Sequence, residues 1–175
     1  MLKMIIGVLT ACAVMFGANA AIAGEDGPSD VEIAHIAYSA GVIDIRYAHL
    51  ALAVSDNPDI RAFAETMVRD HIAVNDVALA LLKKLNASPV DNATSQALNA
   101  SAGEKRAELS ALSGAGFDKA YAANELAYHQ FVNKTLEESL IPAADNKDFK
   151  ELLGVALKTF KVHEGHAENL VEGLN

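Results

Sequence analysis

From Ser29 onward, apolar residues recur along the chain at spacings of three and four, the period of a helix buried on one face. No stretch alternates apolar with polar residues, and β-branched runs are missing, so strands are not expected. Prolines and glycines divide this pattern into four long helices. "PSDVE" offers Ser29 as a cap with Glu32 three residues on, which opens a first helix over roughly 30–55. "SDNPD" ends it and begins a second, with Asn57 as cap and Pro58 at the first helical position, running to about Asn86. The small, polar stretch "NASPVDNATSQALNASAG" reads as a connection. It carries a short helix at "EKRAELSAL" that Gly114 and Gly116 stop. "FDKAY" starts a third long helix running to about Leu140, and Asp145 caps the fourth. The fold class expected is all-α.

Each apolar line is interrupted near its middle by ionisable groups. The first helix reads Ile33, Ala37, Ala40, Asp44, Tyr47, Ala51, Val54. The second reads Ile60, Ala64, Met67, His71, Val74, Ala78, Leu81, Leu85. The third reads Asp118, Tyr121, Glu125, His129, Val132, Leu136, Leu140, and the fourth Phe149, Leu153, Ala156, Phe160, His163, Ala167, Leu170, Leu174.

Whether the interruptions meet depends on their height in the bundle. Asp44 lies 12 residues before Asp56 and His71 lies 13 after Pro58, so these two are level. In a simple up-down-up-down bundle His163 would sit about 10 Å deeper, at ~1.5 Å per residue. If the long second connection instead crosses the length of the bundle, the third helix begins and the fourth ends beside the first turn. His129, 12 residues from Phe117, and His163, 12 from Asn175, then come level with the other two. The roughly 30 residues between the second and third helices suit a crossover and greatly exceed a tight turn. A ferritin-like four-helix bundle with a long crossover is therefore the architecture expected. His35 and His49 lie about 180° and 140° around the helix from Asp44, which puts them on the surface, and His166 can flank the cluster but not centre it.

A single histidine on an apolar helix face is ordinarily a core residue satisfied by one hydrogen bond. Three of them level with Asp44, and with Glu125 one turn from His129, demand more. A buried carboxylate costs several kcal/mol unless it is paired, so the group is either a closed Asp–His network or a metal site. Three imidazoles and one carboxylate suit one transition-metal ion, zinc or copper ahead of iron or manganese, with Glu125 as fifth ligand or as an acceptor behind the ligands. A di-iron oxidase is not indicated, because Val68 and Phe160 stand where its Glu-x-x-His pairs need glutamates.

Composition narrows the partners. The 175 residues carry 14 basic and 23 acidic side chains, a formal charge of −9, with no Lys/Arg cluster to reward nucleic acid or an anionic membrane. Residues 1–23 have the anatomy of a secretory leader: Lys3, a long apolar run, then Ala18-Asn19-Ala20 and Ala21-Ile22-Ala23 as cleavage sites. Residues 24–175 then form one domain, with no membrane span, exported to the periplasm. "LTAC" at Leu9–Cys12 resembles a lipobox, but only 11 residues precede Cys12 and the apolar run continues past it, so lipid anchoring ranks behind a free exported protein. The cleaved chain then has no cysteine and no disulfide or thiolate site.

Three stretches, "IRAFAETMVRDHIAVND", "GFDKAYAANELAYHQFV" and "FKVHEGHAENL", resemble the exported bacterial family called domain of unknown function 4142. The resemblance spans about residues 30–172. It rests on Asp70 and His71, on Phe117, Asp118 and Tyr121, and on His129 and His163; the family tends to carry Glu where this chain has Asp44. Its members, often labelled predicted outer membrane proteins, are ferritin-like bundles, so the resemblance implies that fold and export and leaves function open. The leading function is thus binding of one transition-metal ion. The alternative is an envelope or stress-related interaction protein, its protein partner unknown, in which the cluster only locks helix register. An enzyme ranks third, since the sequence offers no nucleophile–base pair.

Overall fold

The computed structural model describes residues 27–174, and among them every regular element is helical. The leader expected over 1–23, with Cys12, lies outside the described residues. Helix α1 (Asp30–Val54) opens as expected, with the Glu32 carboxylate accepting from both the Ser29 amide and hydroxyl. Helix α2 (Pro58–Lys84) is capped by Asn57, whose side-chain oxygen accepts from the Asp59 amide. It ends in a left-handed Asn86, φ 52°.

The connection holds more structure than its composition suggests. A helix α3 (Ala93–Ser110) replaces the short segment expected at "EKRAELSAL". Its origin is local: Asn92 accepts from the Ser95 amide while Ser95 accepts from the Asn92 amide, and this reciprocal cap satisfies the first turn. The alanines and serines that read as a weak linker let the helix lie close along α1. Neither glycine stops it: Gly114, φ 54°, opens the next helix and Gly116 lies inside that helix.

Helix α4 (Gly114–Thr135) widens into a π-helical turn at Leu136–Leu140 and a last turn at Ile141–Ala143. Helix α5 (Lys147–Gly173) is capped by Asn146, which accepts from the Phe149 amide, and not by Asp145. The Asp145 and Asn146 amides instead donate to the Asp30 carboxylate, tying the start of α5 to the start of α1.

These ties settle the topology. Val90 donates to the Val31 carbonyl where α1 begins, and α3 climbs from there until Leu109 joins the core at the opposite end. There Ser55, at the α1–α2 turn, donates to Asp118 near the start of α4. The crossover therefore traverses the bundle, the arrangement of ferritin-like folds. The core falls into two apolar clusters. One gathers Ile33, Ile36, Leu136, Phe149 and Leu153; the other gathers Ile43, Ile60, Met67, Phe117 and Tyr121. Nearly every position of the four apolar lines is buried or half-buried. Leu85 is the exception at 42% exposure, while Leu82 takes the buried place at that end.

A buried histidine–carboxylate cluster between the two cores

Asp44, His71, His129 and His163 come one each from α1, α2, α4 and α5, and all are buried between the apolar clusters. The crossover sets their common height, as the residue counts required. One ring nitrogen from each histidine lies within 4.8 Å of the others, and ring centroids are 5.4–5.7 Å apart. Asp44 Oδ2 stands 3.3 Å from His71 Nε2 and 3.4 Å from His129 Nε2. Glu125 joins on the other side, with one carboxylate oxygen, one from Asp44 and a His129 nitrogen all within 4.8 Å of one another.

Main chain and side chains orient the rings. His129 Nδ1 lies 3.0 Å from the carbonyl oxygen of Glu125, one turn earlier. Since a carbonyl only accepts, Nδ1 carries the proton and a neutral ring presents its Nε2 lone pair toward Asp44. His71 is stacked on Phe160, with centroids 4.5 Å apart and planes 13° apart. His163 Nε2 lies 3.0 Å from Asp70 Oδ2, and Arg69 holds that carboxylate from outside through Nε at 2.7 Å.

One turn below His71, Asn75 presses against α1 where Gly41 lacks a side chain; a Cβ there would lie 2.6 Å from Asn75 Oδ1. Close approach of the Asn75 side chain to the α1 backbone is therefore built in beside the site.

Burial governs the protonation states. It pushes the Asp44 carboxyl up to about 8 and Glu125 well above the usual carboxylate range, the negative charge of Asp44 adding to the effect on Glu125. Burial pushes His129 down to about 4 and His71 well below the ordinary imidazole value. His163 is also lowered by burial, with Asp70 working in the other direction. At neutral pH the cluster is thus three neutral imidazoles and carboxyls that retain protons unless a cation displaces them.

Several buried polar atoms have no hydrogen-bonding partner: both Asp44 oxygens, both His71 nitrogens, His129 Nε2, His163 Nδ1, Glu125 Oε2 and the Tyr121 hydroxyl. So many converging lone pairs suit a cation, and this buried His/Asp cluster can hold a metal ion.

The structure brings Asp44, His71, Glu125, His129 and His163 together in one buried group. His35 lies apart, 3.6 Å from Asp91, and His49 is exposed. His166 is exposed and close enough only to lower His163 electrostatically. The sequence reading assigned no role to Asp70. It lies off the apolar line of α2, and the one signal that could have found it is its place beside His71 in "MVRDH".

The family described as Domain of unknown function (DUF4142) matches the chain over residues 16–170. No curated protein and no solved structure matches it.

Proposed function

The chain belongs to the DUF4142 family, whose description names no activity, and from that premise we propose that it binds one transition-metal ion, zinc first and copper next. His71, His129, His163 and Asp44 supply the ligands, with Glu125 beside them. The observation that carries this reading is the spacing around Asp44. Around a tetrahedral ion with bonds of about 2.0–2.1 Å, neighbouring donors stand about 3.3–3.4 Å apart. Asp44 Oδ2 is 3.3 and 3.4 Å from two imidazole nitrogens, and neither pair makes a hydrogen bond. Neutral imidazole is the form a metal binds, and burial already enforces it. Three nitrogens to one carboxylate favours zinc or copper over manganese or iron, which take more oxygen donors.

The contacts behind the ligands fit the same reading. The Glu125 carbonyl fixes the His129 tautomer and the Asp70 carboxylate orients His163, as ligand-supporting groups do around metal-bound imidazoles. The ion would neutralise Asp44 and accept one lone pair from each of the three imidazoles. We place this role in an exported, periplasmic protein, on the strength of the leader-like residues 1–23. Among the described residues no helix is long and apolar enough to cross a membrane.

One observation favours the alternative, a structural network in an envelope interaction protein. A protonated Asp44 stands 3.4 Å from the His129 lone pair, and a small approach of the two would let its O–H donate to that ring. Elemental analysis of untagged protein, purified from the periplasm without chelator, separates the two. About one equivalent of a single metal is expected on the binding reading. No metal as purified, and no uptake when zinc, copper, iron and manganese are offered, would leave only the network.

A further inference from the structure

The chain has four arginines in a strongly acidic sequence. Two are engaged by the fold. Arg61 donates to the Leu52 and Ser55 carbonyls at 2.7 and 3.1 Å, closing the α1–α2 turn, and Arg69 pairs with Asp70. The other two, Arg46 on α1 and Arg106 on α3, make no hydrogen bond or ion pair through their guanidinium groups among the described residues. Both line a single cleft of about 120 Å³ between α1 and α3, with Tyr47, Asn99 and Gly103.

We propose that this cleft binds the phosphate group of a small phosphate-class anion, clamped between Arg46 and Arg106. With 23 acidic side chains in the sequence, a guanidinium readily finds a carboxylate. Two that find none, and face the same gap from different helices, repel each other until an anion lies between them. Each planar fork offers parallel N–H donors matched to two oxygens of a tetrahedral anion. A dianion with four oxygens satisfies both forks, whereas a single carboxylate satisfies one.

The surroundings permit it. The acidic side chain on α3 that acts on Tyr47 is Glu108, and Lys105 already holds it. Asp44 and Glu125 lie behind Tyr47 and are fully buried, away from the cleft. The Tyr47 hydroxyl, which donates to the Ala102 carbonyl at 3.4 Å, forms a fixed wall between the cleft and the histidine cluster. The anion site therefore stands or falls independently of metal binding.

The test is titration of the cleaved protein, exchanged into phosphate-free buffer at constant ionic strength, with inorganic phosphate, followed by calorimetry and by the amide resonance of Gly103. Saturable binding of one phosphate is expected, with Gly103 shifting. Arg46→Gln and Arg106→Gln should each weaken it by on the order of tenfold or more, the value of one lost charge-assisted bidentate contact. Both arginines are exposed, so circular dichroism should show the variants folded. Absence of saturable binding up to about 10 mM, where a contact this weak no longer counts as a site, would overturn the proposal. So would binding that survives in the double variant.

Discussion

Asp70 Oδ2 lies 3.0 Å from His163 Nε2, so two consecutive residues of α2 serve one cluster: His71 enters it directly and Asp70 reaches it through the histidine of another helix. The step of ~100° per residue makes this possible, because it turns Asp70 toward α5 while His71 points at the bundle axis. Asp70→Asn keeps the shape but gives up the charge that orients the ring. Metal affinity should fall about 10–100-fold with the stoichiometry unchanged, as for other groups supporting a ligating imidazole. Competition against a chromogenic chelator measures this, and an unchanged affinity would remove Asp70 from the site.

The ligands themselves should behave differently. His71→Ala, His163→Ala and Asp44→Asn are each expected to abolish stoichiometric zinc binding, whereas His35→Ala and His49→Ala leave it intact. In the wild type, zinc at about 100 times its dissociation constant should add ~2.7 kcal/mol of stability. Equal melting temperatures in chelator and in excess zinc, copper or iron would count decisively against a resident ion.

Without metal, pH should act on stability through Asp44. Its folded value of about 8 exceeds the ordinary 3.8, so the folded protein keeps a proton that the unfolded chain has lost. That contribution is complete below the unfolded value and disappears as pH rises through about 8. His129 works oppositely: lowered from 6.5 to about 4, its contribution is complete above 6.5 and is lost as pH falls toward 4. In chelator, the denaturation midpoint should therefore decline from about pH 6.5 to 8.5, and Asp44→Asn should flatten that decline. Saturating zinc should reverse the trend, since the ion binds the deprotonated ligands.

Gly41 supplies a test of packing. A methyl group there meets the buried Asn75 amide at 2.6 Å, so the side chain must shift. Gly41→Ala should destabilise the protein by about 1–3 kcal/mol, the usual cost of overpacking. Asn75→Ala in the same chain should recover part of that loss. Additive losses in urea denaturation would mean that the two sites do not touch.

Much of the cluster was legible because helical period and axial rise are properties of sequence. Position modulo 3.6 placed Asp44, His71, His129 and His163 on inward faces, and counting residues from the turns placed them at one height once a crossover was assumed. The length of the second connection argued for that crossover, yet its helix was underestimated. Ala93–Ser110 has little apolar periodicity, and its stability comes from the Asn92–Ser95 cap and from lying along α1. The start of α5 illustrates the same limit: Asp145 and Asn146 are both good caps, and the Asp30 carboxylate, 115 residues away in sequence, engages the Asp145 amide while Asn146 caps the helix.

The four long helices, their inward faces and the residue types gathered at mid-height can be read from the chain alone, because each follows from local geometry repeated along it. Only the packed helices show that Asp70 holds His163, that Asn75 fits against Gly41, and that Arg46 and Arg106 share a cleft. Those relationships join atoms on different helices at separations of a few ångströms. Such separations depend on how far each helix is rotated and shifted against its neighbours, which is set by side-chain packing across the whole core.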